Sequence, residues 1–210
     1  MRKKTKLVCG VGINNADYVV QINESWYEGG KQRQRGVWVC PFYSKWRSML
    51  IRCYSSKEHE TNPTYKGCSV CDEWLTFSNF KNWMEKQDWE GKEIDKDILY
   101  IGNKIYSPET CVFVDRKVNQ FLVERGASRG KLLIGVSQHK EGKFIAQCNG
   151  GSGKGGYIGL FNTEIEAHKA WLKRKQEVAL KLASEQTDPR VAKALIDRYE
   201  NYVAQEKEMA

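Results

Sequence analysis

Between Ile94 and Asn119 the chain gathers the side chains best suited to chemistry. Asp95, Lys96 and Asp97 stand together, Asn103 follows in a Gly-Asn step, and Asn119 closes the stretch. Carboxylates and amides collected at a turn can hold a hard divalent cation, because magnesium takes one or two carboxylates and fills its other positions with water and phosphate oxygens. The stretch contains no histidine; the three in the chain are His59, His139 and His168. A general base near pH 7 would therefore have to be a carboxylate or a lysine of shifted pKa. The plainer alternative is that Asp95, Lys96, Asp97 and Asn103 only stabilise a tight turn.

The surrounding residues predict how these groups are positioned. Residues 94–111 read as a β-hairpin turning at Gly102-Asn103. Ser107-Pro108-Glu109-Thr110 is a start signal, followed by apolar Cys111-Val112-Phe113-Val114 and a helical segment that reaches Asn119 and continues to Val123. Upstream, Phe42, Trp46, Met49, Leu50 and Cys53 recur at helical spacing over residues 41–54, with Lys45, Arg47 and Arg52 off the stripe. Lys45 and Arg52 are candidate phosphate contacts, or solubilising charge. Residues 55–67 read as a loop, and Trp74, Phe77, Phe80, Trp83 and Met84 as the core face of a second helix. Residues 1–36, with the basic run Lys31–Arg35, read as an irregular arm with short strands at most. That arm is either a phosphate contact or a solvated tail.

Cys68-x-x-Cys71 has the spacing of half a zinc site, but no second pair accompanies it. Structural zinc is not expected, and free buried cysteines are the preferred reading. The seven cysteines are expected as thiols of a reducing compartment. No apolar run is long enough to span a bilayer, and the short apolar run after the basic start is no signal peptide. The expected location is cytoplasmic.

Glu124–Gly130 reads as a linker of small residues and charge. Beyond it, residues 132–140, 143–148 and 157–161 predict three strands, and the loop Gly150–Gly156 joins two of them. That loop enters no helix and lacks Lys-Ser/Thr, so it is a hairpin loop and not a phosphate cradle. Thr163 with Glu166 forms a capping box that opens a long helix whose apolar side is Ile165, Ala167, Ala170, Trp171, Val178, Leu180 and Leu182. Trp171 is expected against the sheet. Asp188-Pro189 starts a last helix through Val191, Leu195, Ile196 and Tyr199.

The chain carries 34 Lys+Arg against 26 Asp+Glu, a net charge of +8. Residues 127–183 hold ten Lys or Arg and four acids, a net +6. A small basic sheet backed by one helix leaves its other face open. Polar side chains on such a face can read base edges while lysines meet phosphates, so the predicted partner is double-stranded DNA. The candidate contacts are Arg129, Lys131, Ser137, Gln138, His139, Lys140, Lys143, Gln147 and Lys154. Which of two alternating sets faces outward depends on the register.

The series Gly135-Val136-Ser137, Lys143-Phe144-Ile145-Ala146, Gly159-Leu160-Phe161-x-Thr163-x-x-Glu166-Ala167 and Ala170-Trp171 resembles the APETALA/ethylene-response-factor DNA-binding domain. That resemblance implies a three-stranded sheet inserted in the major groove. The family reads bases mainly with arginine and tryptophan, whereas Gln, His and Lys stand on these strands. Further upstream, three segments together resemble phage HNH-type homing endonucleases: Trp46-x-x-Met49-Leu50-x-Arg52-Cys53-Tyr54; Val70-Cys71-x-Glu73-Trp74-Leu75-x-Phe77-x-Asn79-Phe80; and Asp95-Lys96-Asp97 with Gly102-Asn103-Lys104-x-Tyr106-Ser107-Pro108-Glu109-Thr110-Cys111. The resemblance implies a ββα-metal nuclease with Mg2+, bound by Asp95 or Asp97 with Asn119 as co-ligand. The motif's first position falls at Asp95 or Lys96, its middle asparagine at Thr110 and its last position at Asn119. The motif is degenerate, lacking both the histidine and the central asparagine.

The expected fold is therefore α+β. An irregular arm (1–36) precedes an HNH-like domain with flanking helices (37–125). A three-stranded antiparallel sheet packed on a helix (126–186) and a final helix (187–210) follow. The resemblance implies a phage-encoded protein acting in the bacterial host cell. It would bind double-stranded DNA and either cleave it with a divalent metal through Asp95, Lys96, Asp97 and Asn119, or act as a sequence-specific regulator without cleavage. An inhibitor or scaffold that binds another protein fits the charge less well.

Overall fold

The computed structural model describes residues 7–123, 131–149 and 155–208. Its first half runs β1 (Gln21–Glu28), β2 (Lys31–Val39), α1 (Pro41–Tyr54), α2 (Ser56–Thr61), β3 (Ser69–Val70), α3 (Phe77–Met84) and β4 (Glu93–Asp95). Then come β5 (Ile105–Tyr106), β6 (Val112–Val114), α4 (Arg116–Leu122), β7 (Val136–Gln138), β8 (Phe144–Asn149), β9 (Gly155–Phe161), α5 (Glu164–Ser184) and α6 (Pro189–Glu208). The class is α+β, with several small sheets. The chain divides into two compact units: Met1–Glu90 with Tyr100–Phe113, and Gly91–Leu99 with Val114–Ala210.

The first unit is built on aromatic side chains. Trp46, Met49, Leu50, Trp74, Phe77, Phe80 and Met84 are buried, and each such side chain contributes about 1.5–3 kcal/mol on leaving water. Trp46 packs on Tyr43 and Phe77, and its indole N–H donates to the Trp74 carbonyl at 2.7 Å. The buried stripe of α1 begins at Tyr43, not Phe42; Phe42 is half-buried and packs on Trp89 at 5.0 Å. Residues 55–67 are not a plain loop. Ser55 caps α2 by accepting the Glu58 N–H, and a short 3-10 turn follows at Pro63–Tyr65.

The arm is more ordered than its composition suggests. Ile13 donates to the Leu75 carbonyl and accepts from the Phe77 N–H, which docks the segment on the core. A Cβ on Gly12 would lie 2.4 Å from the Leu50 side chain, so only glycine permits this approach. Strands β1 and β2 form an antiparallel ribbon joined by Gly29-Gly30, both at positive φ (+59° and +75°). Two residues at positive φ match the right-handed twist of the flanking strands.

The hairpin expected around Gly102-Asn103 does not form. Strand β5 runs parallel to β3, pairing Ser69 with Ile105 and Val70 with Tyr106, and does not fold back on β4. Ser107–Cys111 closes as a turn, with the Thr110 and Cys111 N–H groups donating to the Ser107 carbonyl. Asn103 is a turn stabiliser: its amide donates to the Ile105 carbonyl, and its oxygen accepts the Ile105 N–H.

In the second unit, β7–β8–β9 is an antiparallel sheet packed on α5, and α6 packs along α5. The capping box is present in full: the Thr163 hydroxyl accepts the Glu166 N–H, and the Glu166 carboxylate accepts the Thr163 N–H. The inner face of α5 is Ala167, His168, Trp171, Leu172, Lys175, Ala179, Leu182 and Ala183; Ile165 and Leu180, expected there, are exposed. Helix α4 belongs to this unit and not to the HNH-like domain expected to end at 125, because Phe121 packs on Tyr199 at 5.4 Å. The Lys175 ammonium, 3% exposed, donates to the Phe121 carbonyl at 2.5 Å and lies 3.9 Å from the centre of its ring. The linker 124–130 and the loop positions 150–154 lie outside the described residues.

Candidate nucleic-acid interface and the Asp95 turn

Register decides which side chains the β7–β9 sheet offers. Val136 pairs with Ala146, and Ala146 with Gly159; Val136 and Ala146 are buried toward α5. The next row is therefore outward: Ser137 opposite Ile145 opposite Leu160. An irregularity between Ala146 and Gln147 shifts β9 by one residue, so that Gln147 faces Tyr157. Both are exposed, Tyr157 at 64%. Ser137, Ile145, Gln147, Tyr157 and Leu160 thus make one open face, with His139 and Lys143 at its hairpin end.

The sheet's rigidity comes from α5. Gly135 has φ +79°, and a Cβ there would lie 2.0 Å from the Trp171 ring. The indole therefore presses directly on the backbone that leads into β7. His168 stacks on Trp171 at 5.4 Å, and its Nδ1 is bonded to the Ile134 carbonyl oxygen at 2.7 Å. The Glu164 carboxylate accepts the Leu133 N–H. Three positions on one helix face, within its first two turns, thus fix the entry to the first strand. Cys148 is buried on the inner face, where desolvation raises its thiol pKa against the lowering influence of Lys175 and Arg174.

Of the DNA contacts expected from sequence, Ser137, His139, Lys143 and Gln147 share the outward set, while Gln138 and Lys140 belong to the alternate one. Gln138 is nonetheless exposed at the strand end, and Lys131, Lys140 and Lys143 are exposed around the sheet. Arg129 and Lys154 lie outside the described residues. Lys45 and Arg52 are in the first unit. Arg52 sits 5.6 Å from the Tyr65 ring centre and bonds the Tyr106 hydroxyl, whose pKa burial raises. Its guanidinium is thereby engaged within the fold. Tyr157 and Leu160 were missed because the irregularity that turns them outward is a pairing feature, invisible in a strand read alone.

At the other candidate site, the Asp95 Oδ1 accepts the N–H groups of Asp97 (2.8 Å) and Ile98 (2.7 Å). Lys96 is buried, and its ammonium donates to the Asp97 Oδ2 at 2.9 Å. Burial raises the Asp95 pKa and the neighbouring Asp97 charge raises it further, while the two backbone N–H groups lower it. The Asn119 amide donates to the Glu93 Oε2 at 2.9 Å. Glu93 lies two residues before Asp95 on β4 and so on the same side of that strand. Asn119 is thereby tied to that side through Glu93, a residue the sequence reading passed over.

Among the described residues no group of three or more His, Cys, Asp or Glu side chains converges as a metal shell. A magnesium ion shared with a phosphate asks a protein for only one or two carboxylates; here the Asp95 Oδ1 is engaged by two backbone N–H groups and the Asp97 Oδ2 by Lys96. Cys68 is buried and Cys71 is half-buried, its thiol pKa raised by desolvation. Compared with protein-family models, curated proteins and solved structures, the chain has no match.

Proposed function

We propose that this chain is a double-stranded DNA-binding protein of the phage homing-endonuclease type, which lays the outer face of β7–β9 in a major groove. The observation that carries this reading is the open row Ser137, Ile145, Gln147, Tyr157 and Leu160 on a sheet held rigidly from behind by Trp171. Gln147 and Ser137 can donate to and accept from base edges, and Ile145 and Leu160 suit the thymine methyl group. Lys131, Lys140 and Lys143 at the rim supply phosphate contacts, which position the sheet without reading sequence.

Binding of the full chain to a randomised duplex library, followed by affinity across a salt series, tests the reading. Lys143→Gln should lower affinity for all duplexes and flatten the salt slope by about one unit. Gln147→Ala should relax preference at one position and leave that slope unchanged. Affinity that does not depend on salt would rule the reading out.

A second reading, cleavage with a divalent metal, is favoured by the adjacent Asp95 and Asp97 charges, a repulsion that a cation relieves. Such an ion would supply Lewis-acid stabilisation of charge on a phosphate. Asp95 and Asp97 would hold it, Lys96 would orient the Asp97 carboxylate, and Glu93 would fix Asn119 on that side of the strand. Nicking of supercoiled DNA with magnesium, abolished by Asp97→Ala, would support cleavage. Binding with no nicking would leave a regulator.

A further inference from the structure

The β1–β2 ribbon has no role in the site described above. Every residue from Ile22 to Glu28 and from Lys31 to Trp38 is exposed, so neither face of the ribbon is buried along this length. Two-stranded ribbons are marginal in water. This one also leaves Ile22, Trp26, Tyr27, Val37 and Trp38 uncovered. Its register sorts the side chains cleanly. Glu24 pairs with Arg35, Trp26 with Arg33 and Glu28 with Lys31 on one face. Asn23, Ser25 and Tyr27, opposite Gly36, Gln34 and Gln32, occupy the other. The first face satisfies its own charges, with Arg35 on Glu24 at 2.8 Å and Arg33 on Glu28 at 3.4 Å. The second carries no charge, only amides and hydroxyls; Gln21 donates to the Asn23 Oδ1 at 2.7 Å along it.

We propose that the β1–β2 ribbon is a second DNA-reading element, which enters a major groove with Asn23, Ser25, Gln32 and Gln34 toward the base edges. This rests on the DNA-binding reading given above. A major groove about 12 Å wide admits a two-stranded ribbon, and Asn or Gln pairs with adenine through two hydrogen bonds. Eight residues at about 3.3 Å each follow roughly 26 Å of groove. The uncharged amide row itself suits neither the apolar centre of a protein interface nor a membrane surface; Ile22, Trp26 and Trp38 lie on the opposite, charged face. Lys31, Arg33 and Arg35 outnumber Glu24 and Glu28 on the opposite face, which leaves the ribbon a net positive charge that favours a polyanion.

The test uses the full chain and a duplex that it selects from a randomised library. Gln32→Ala/Gln34→Ala removes two readers without changing charge. It should weaken binding to the selected duplex at least about tenfold while leaving a scrambled duplex and the salt slope unchanged. Guanine methylation should interfere over a ribbon-length tract that disappears in this variant. Arg33→Gln/Arg35→Gln should instead flatten the salt slope on every duplex. Unchanged affinity of Gln32→Ala/Gln34→Ala, with circular dichroism intact, overturns the proposal, as does preference for single strands over the duplex. Loss in Gln32→Ala/Gln34→Ala while Gln147→Ala/Tyr157→Ala binds normally would sustain the ribbon and overturn the sheet reading. Failure to select any duplex overturns both.

Discussion

Gly135→Ala tests the packing on which the candidate DNA face depends. The added methyl meets two penalties. A non-glycine residue at φ +79° costs about 1–2 kcal/mol. The methyl would also sit 2.0 Å from the Trp171 ring, so the indole or the strand must move, an overpacking cost of about 1–3 kcal/mol. The sum is about 2–5 kcal/mol. Gly142 provides the internal control: it has φ +74°, and a methyl there meets nothing within 4 Å. Gly142→Ala should carry only the backbone cost. Urea unfolding of both variants, with amide exchange over β7–β9 locating the loss, isolates the steric part. At a slope of about 1–3 kcal/mol per molar urea, that part should separate the two midpoints by roughly 1 M. Midpoints equal within error would refute the claim that Trp171 braces the entry to β7. Weakened DNA binding in the Gly135 variant alone would then have to be explained without it.

Three further outcomes follow from polar groups partly or wholly withdrawn from water. Asp95 has a pKa raised in the fold, so its stabilising contribution is full below the unfolded value of about 3.9 and is lost as pH rises through the folded one. Asp95→Asn keeps an oxygen for the Asp97 and Ile98 N–H groups, so it should raise the urea midpoint at pH 7. That gain should shrink toward pH 4; a loss of stability at pH 7 would contradict the sign. Lys175→Met retains the stem but leaves the Phe121 carbonyl without its ammonium donor, a cost of about 1–3 kcal/mol. Lys175→Ala adds a cavity and should cost about 2–5 kcal/mol, read from thermal midpoints of the two variants. Trp46→Phe removes the indole donor to the Trp74 carbonyl and should lower stability by at least about 1 kcal/mol in the same assay.

Local chemistry was legible wherever the interaction partners are neighbours in the chain. Helix α1 with its proline start, the Thr163–Glu166 capping box and the start of α6 at Asp188-Pro189 all depend on groups within one turn of each other. The three C-terminal strands were legible too, because hairpin partners lie close in sequence. Gly29-Gly30 between the two runs was a readable hairpin signal; charged and amide residues interrupt Ile22, Trp26, Val37 and Trp38, so no regular apolar alternation marked the strands. Pairing between distant segments left no such mark. Nothing in Ile105-Tyr106 says that it aligns with Ser69-Val70, and a Gly-Asn turn suggested the wrong partner.

For the candidate sites, composition determined the residue types and tertiary structure decided their work. The sequence by itself supplied a basic C-terminal sheet, an aromatic core and an acidic turn. Only pairing across β7–β9 chose Ser137, Gln147 and Tyr157 as one face, because a single-residue shift between Ala146 and Gln147 changes which side chains point outward. Only packing put Lys175 inside and Ile165 outside, since the apolar stripe of a helix ends where its neighbours end. Asp95 was visible from the start as a carboxylate. Its burial, its two backbone donors and the tie of Asn119 to Glu93 come from segments that meet only in the folded chain.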